Sequence, residues 1–281
     1  MTGLEVLVAE DAADAASRAA DIVQEVIEGG ATVIGVATGA TPRRLYAELA
    51  GRVRDRRVSF EGVRLVALDE YAGLSPEHPA SFAAYLRRHV AVPLGIGADD
   101  VLLLDGTPAL PAEYADRCAV FEQRLADLGG VDLQVLGIGR NAHLAFNEPG
   151  SSFTSDTRLV ALTGDTRSSN ASAFGGDVAA VPAMALSQGL ATIMRARTIL
   201  LLATGETKSD AVAAAFDGPV DPSRPASLLQ RHPDVRAVLD PAAASGLSRR
   251  GRRTLNRRPA TVGSIPSIGD RSTVDSVGGG P

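Results

Sequence analysis

The chain has 281 residues, 45% of them hydrophobic and 22% charged, with a formal net charge of −5. That length and balance suit one globular unit with a large core, and the acidic balance argues against a folded domain built to bind nucleic acid. Cys118 is the single cysteine, which excludes an intrachain disulfide framework and a cysteine zinc site.

Leu4–Val8 predicts a first strand. Ala12–Glu28 carries Ala16, Ala19, Ile22, Val23 and Val26 at helical spacing and stops at Gly29-Gly30. Thr32–Ala37 is a short β-branched strand that ends in Thr38-Gly39-Ala40-Thr41-Pro42, with a helix expected from Pro42 to about Val53. A strand, a small-residue turn and a helix N-terminus present free backbone N–H groups to an anion. Thr38, Gly39, Ala40 and Thr41 are therefore candidate phosphate-binding residues, the alternative being an ordinary turn. Val63–Leu68 is a buried strand running into Asp69-Glu70-Tyr71. Two adjacent carboxylates at a strand end are costly to bury and repel each other. One can serve as a base of raised pKa and the other as its structural partner.

Ser81–Ala91 predicts a helix with outward arginines and His89 at the surface. Val101–Leu104 predicts a short strand, and Pro111–Leu128 a long amphipathic helix closed by Gly129-Gly130, with Cys118 as a small buried hydrophobe. Thr157–Leu162 reads as a rim strand, Asp165-Thr166-Arg167 as the cap of a helical turn, and Gly175–Ala180 as irregular. Pro182–Met194 reads as a helix, Thr198–Ala203 as a buried strand, and a helix follows through Phe216. A short helix from Pro225 and a last strand, Val235–Leu239, complete the folded part. Lys208 is the only lysine. In the first turn of a helix its charge opposes the helix dipole, so a bound anion explains it better than helix stability does.

From Ser248 to Pro281 the chain is rich in Arg, Ser and Gly and is expected to be a disordered tail beyond a domain spanning residues 1–247. Met1–Glu10 lacks a basic start before an apolar run, and about 18 consecutive apolar residues are nowhere found, so neither a signal peptide nor a transmembrane span is expected. A cytoplasmic setting and no membrane partner are the corresponding expectations; no metal site is expected, and a homo-oligomer is left open. Repeated strand–helix units imply an α/β fold: a Rossmann-like, mostly parallel sheet with helices on both faces, in a single domain.

The chemistry concentrates in Leu133–Gly150, LQVLGIGRNAHLAFNEPG. An apolar strand breaks at Gly137 and Gly139 and then delivers His143, Asn147 and Glu148. Open parallel sheets place reactive groups beyond the carboxyl ends of their strands in this way. Histidine titrates near neutral pH, and a carboxylate five positions on can hold its ring. The alternative is a loop histidine with a structural partner. Two anion-binding and two acid–base elements together suggest proton transfer on a small phosphorylated substrate.

The segments ATGATP, LDEYAGL, EHPASF, LGIGRNAHLAFNEPGSSF, LATGETK and LLQRHP resemble the glucosamine-6-phosphate deaminase family over about Leu4–Ala244. That resemblance implies conversion of glucosamine 6-phosphate and water to fructose 6-phosphate and ammonia, a hydrolase reaction with aldose–ketose isomerisation and no cofactor. By position, Asp69 would move the proton between C2 and C1, and His143 would assist ring opening. Glu148 would hold the His143 ring from one side and Asn141 from the other. Thr38–Thr41 and Lys208 would bind the phosphate, with Glu70 also at the substrate.

Four positions depart from the family pattern. Asn141 stands where many members carry Asp, and it cannot stabilise an imidazolium by charge. Ala142 stands at a usual glycine and would be strained if φ is positive. Ser172 replaces a phosphate-binding arginine, for which Arg158 or Arg167 are the candidate substitutes. Val160 replaces an effector-site lysine. These departures raise two alternatives: a sugar-phosphate-binding module with weak turnover, and a deaminase for a related amino-sugar phosphate.

Overall fold

The computed structural model describes residues 3–248. Apart from Ser248, the expected disordered tail lies outside the described residues. Ser248 itself is tied down, with its N–H and hydroxyl both on Asp217.

The elements run in chain order as β1 (Leu4–Val8), α1 (Ala12–Glu28), β2 (Val33–Val36), α2 (Ala40–Arg54), β3 (Arg64–Ala67), β4 (Asp69–Tyr71) and α3 (Phe82–Leu86). A π-type turn at Arg87–Ala91 leads to α4 (Val92–Leu94), β5 (Val101–Leu102), α5 (Pro111–Asp127), β6 (Leu133–Gly137), β7 (Arg158–Ala161) and α6 (Gly164–Asn170). Then come β8 (Met184–Ser187), α7 (Leu190–Met194), β9 (Thr198–Ala203), α8 (Ser209–Phe216) and β10 (Val235–Leu239). The helix begins at Ala12 because the Asp11 carboxylate accepts from the N–H groups of Ala13 and Asp14. It buries Ala15, Ala16, Ala19, Ala20 and Val23 against the sheet.

Seven strands form one parallel sheet in the order β1-β10-β9-β6-β2-β3-β5. Its strands are apolar on both faces because both are covered. One face packs Leu45, Leu49, Val23 and Leu86, from α1, α2 and α3. The other packs Phe121, Leu125, Val212 and Phe216, from α5 and α8. From β2 the chain moves outward through β3 to β5. It then returns to β6 and moves the opposite way through β9 to β10. The reversal falls between β2 and β6. The crevice above such a switch point is where open α/β sheets receive ligands.

Three expected elements differ. Pro182–Met194 is not one helix: Met184–Ser187 forms β8, and only Leu190–Met194 is helical. Its Met, Ala and Leu favour a helix locally, but pairing between β4 and β7 in a second, three-stranded antiparallel sheet overrides that preference. The second helix starts at Ala40, two residues before Pro42, and Gly39 with φ 112° makes the turn. Pro42 still fits because the early helical N–H groups have no intrahelical partner. Thr163, not Asp165, caps α6 by accepting from the Thr166 N–H.

β2 and β6 meet through Gly35 and Gln134, which are paired across the strands. Gln134 is fully buried, and a Cβ on residue 35 would run into its side chain. Gly35→Ala is therefore expected to cost about 1–3 kcal/mol in urea unfolding. Gln134→Ala on that background should recover part of the loss; no recovery would show that the clash lies elsewhere.

Candidate active site

The chain does not run straight from β3 into Asp69. It bends at Leu68, and Asp69–Tyr71 becomes β4 of the small antiparallel sheet, with Asp69 opposite Ser187. Gln188 fixes the bend: its backbone N–H donates to the Leu68 carbonyl and its side-chain amide to the Ala67 carbonyl, both at 2.8 Å.

The paired carboxylates then separate in role. Glu70 accepts backbone N–H groups from Tyr71, Phe82 and Ala83 at 2.8, 3.0 and 2.8 Å. Both its oxygens are engaged at the start of α3, so the expectation that Glu70 binds substrate is corrected: it is the structural member of the pair. Asp69 is also buried, but its Oδ1 has no hydrogen-bond partner. Burial, reinforced by the Glu70 charge, pushes its carboxyl up to about 8.

Beyond β6 the loop folds back on itself, with the Gly139 N–H on the His143 carbonyl at 3.0 Å. Gly139 also lies under the His143 ring, where any Cβ would collide. Ala142 has φ 65° and Ala145 φ 50°. The sequence-based concern over Ala142 is thus met, at a cost on the order of 1 kcal/mol for a non-glycine residue in this region. His143 Nδ1 lies 3.7 Å from Glu148 Oε2. Asn141 makes no hydrogen bond to the ring, contrary to expectation. Its Nδ2 donates to Glu148 Oε2 at 2.7 Å, and its Oδ1 accepts the His143 backbone N–H at 3.2 Å. Asn141 therefore orients the carboxylate and the loop, a task that needs its amide donor.

The hydroxyls of Thr163 and Thr166 donate to the other Glu148 oxygen. Burial alone would raise the Glu148 carboxyl, but the His143 ring, the Thr166 hydroxyl and the Asn141 amide together bring it down to about 2. It stays anionic beside His143. No local pattern in the sequence marks Thr163 and Thr166 as its partners, because they reach it from the far side of β7.

The segments carrying Asp69 and His143 share one support. Asn147 Nδ2 donates to the Gln188 carbonyl at 2.8 Å, and the Phe146 N–H reaches Ser187 Oγ at 3.2 Å. Ser187 and Gln188 thus bind Asp69's strand on one side and the His143–Glu148 loop on the other.

The turns expected to bind an anion lie at the carboxyl ends of β2 and β9. Thr41 Oγ1 and Thr204 Oγ1 are 3.2 Å apart, joining the turn after β2 to the turn after β9 across the end of β6. Lys208 ends the 3-10 turn Glu206–Lys208 and caps α8, instead of lying inside a longer helix. Burial and the neighbouring Arg140 guanidinium lower its ammonium pKa. Of the candidate replacements for position 172, neither is free. Arg167 donates to the carbonyls of Val178, Ala179 and Val181. Arg158 donates to Asn147 Oδ1 at 2.8 Å.

A surface groove of about 440 Å³ between α5 and Thr157 lies elsewhere. Its acid, Glu122, is occupied by Thr157, Thr192 and Arg195, and burial pushes the Cys118 thiol up to about 11. Among the described residues no group of three or more His, Cys, Asp or Glu side chains is placed to hold a metal, and no helix is long and apolar enough to cross a membrane.

A doubly wound sheet that carries a desolvated carboxyl and an imidazole facing a carboxylate beyond its strand ends defines an acid–base enzyme of the α/β class. Residues 7–238 match the family described as glucosamine-6-phosphate isomerases/6-phosphogluconolactonase, and the chain belongs to that family. The glucosamine-6-phosphate deaminase of Beutenbergia cavernae is 46% identical over 245 residues, covering 87% of this chain and 93% of that protein. Glucosamine-6-phosphate deaminase 2 of Bacillus subtilis is 40% identical, covering 87% and 98%. A solved monomeric glucosamine-6-phosphate deaminase superposes with a TM-score of 0.82 at 35% identity, over 86% of this chain and 100% of the other. The 6-phosphogluconolactonase of Trypanosoma brucei, at 21% identity and TM-score 0.68, covers 88% and 100% and shares the fold.

The Asp69 shift has a stability consequence. Its folded value, about 8, lies above the ordinary 3.8, so between those values the folded state holds more protons and wild-type stability falls as pH rises. Asp69→Asn removes that liability. Its stability gain over wild type is expected to be small near pH 5 and larger by at least about 1 kcal/mol at pH 8. A gain that is flat or shrinking with pH in urea unfolding would contradict the assignment.

Proposed function

We propose that this chain is a glucosamine-6-phosphate deaminase, converting glucosamine 6-phosphate and water to fructose 6-phosphate and ammonia. The observation that carries the reading is the joint anchoring of Asp69 and the His143–Glu148 loop on Ser187 and Gln188. Moving a proton between adjacent carbons needs one base that reaches both and is shielded from water. Asp69 fits because it is buried and one of its oxygens is unengaged.

Ring opening needs a separate group that transfers a proton to the ring oxygen as the C1–O bond breaks. His143 takes that role, with the Glu148 carboxylate 3.7 Å from its Nδ1. In the opened sugar, Asp69 removes the C2 proton and returns it to C1. The resulting C2 imine adds water and expels ammonia, which balances the overall reaction. Thr38–Thr41 and Lys208 hold the phosphate away from the reacting carbons. That orientation lowers the entropic part of the barrier. Asn141 supports turnover in this scheme because it donates to Glu148, so its departure from Asp does not favour a mere binding module.

The test is ammonia release from glucosamine 6-phosphate. Asp69→Asn is expected to abolish it while keeping product binding by calorimetry, and His143→Ala to lower kcat by about 10²–10⁴-fold. For the wild type, kcat/KM is expected to rise with pH as free Asp69 ionises near 8. Retained turnover in Asp69→Asn would remove it from the base role.

A further inference from the structure

We propose that Arg140 is a phosphate-binding residue of this enzyme, closing with Lys208 on the substrate's phosphate and standing in for the arginine that position 172 lacks. This rests on the function proposed above.

Position 172 is serine, exposed on the 3-10 turn Ala171–Phe174. The two arginines that the sequence offers in its place are both engaged with protein groups: Arg167 holds backbone carbonyls and Arg158 holds Asn147. Arg140 is not engaged in this way. It is exposed, and it forms no ion pair or hydrogen bond among the described residues.

Its place in the fold is specific. Arg140 follows Gly139 on the loop that leaves β6 at the switch point, three residues before His143. β6 lies between β2 and β9, and the turns leaving those two strands touch through Thr41 and Thr204. Arg140 therefore leaves the sheet between the two turns assigned to the phosphate. Lys208 lies at the end of the second of them, also without an ion pair among the described residues, and near enough to feel the Arg140 charge.

Two cations that feel each other without a counter-ion repel, and partial burial of Lys208 adds to that cost. A dianionic phosphate between them reverses the sign of the interaction. Guanidinium supplies the planar, bidentate hydrogen bonding that ammonium lacks, so the pair reproduces an arginine–lysine grip with the arginine on a different loop. The arginine then comes from the same loop as the acid–base histidine. Phosphate binding and His143 placement are thereby linked through Gly139, Asn141 and Ala142.

The experiment compares wild type with Arg140→Leu, Arg140→Lys and a remote charge control, Arg54→Leu, at the opposite end of α2. Binding of fructose 6-phosphate and of inorganic phosphate is measured by calorimetry, and KM and kcat by ammonia release. Arg140→Leu is expected to weaken both ligands and raise KM by about tenfold or more, with a much smaller change in kcat. Arg140→Lys should recover part of the loss, and Arg54→Leu should show none. Unchanged binding in Arg140→Leu, or an equal loss in Arg54→Leu, would overturn the proposal. The binding measurements do not depend on turnover. If wild type releases no ammonia, the proposed reaction fails, while Arg140's hold on phosphate is still decided by calorimetry.

Discussion

Gln188 is the point on which the site depends. Its N–H and side-chain amide hold the bend at Ala67–Leu68 that turns Asp69 away from the parallel sheet. Its carbonyl accepts Asn147, which precedes Glu148. One fully buried residue therefore sets Asp69 and the His143–Glu148 loop relative to each other. Hydrogen bonds in such a dry setting are strong, and an unpaired group there is costly, so the arrangement is stiff. In the proposed reaction stiffness matters, because both groups would address one hexose at once.

Around that clamp the fold gives its acids opposite surroundings. Asp69 and Glu70 are neighbours in one strand, yet Glu70 is filled by three backbone amides while Asp69 keeps an oxygen without a partner. Glu148 is surrounded by donors and a histidine, so it remains an anion where Asp69 is driven toward its neutral form. Environments that push the pKa values of titratable groups apart are how one site assigns distinct proton-handling roles near pH 7. The proposed phosphate side would work by the inverse logic: Lys208 feels the Arg140 charge and has no ion pair among the described residues, and an incoming anion would relieve the repulsion.

Much of this was legible in the residue order. The strands around Ile34, Val135 and Leu200 are apolar runs bounded by glycine and polar turns, and that pattern survives without knowledge of partners. Asp69, His143 and Glu148 announce themselves because acids and histidine stand where apolar strands end. What failed was set by distant contacts. Met184–Ser187 has helical composition, and only pairing with β4 and β7 makes it a strand. Glu70 looked like a second substrate group until the amides of Phe82 and Ala83 claimed it. Asn141 departs from expectation because a seven-residue separation from Glu148, across the histidine, suggests nothing about which side chain its amide meets. Gln188 has no local signature at all, since its three partners come from segments about 40 and 120 residues away.

The most direct test of the account is exchange of the C1 hydrogens of fructose 6-phosphate with solvent deuterium, in the presence of ammonia and followed by NMR. The account predicts stereospecific incorporation of one deuterium at C1 by the wild-type enzyme and none by Asp69→Asn, with fructose 6-phosphate still bound. Exchange that persists in Asp69→Asn would show that another group moves the proton.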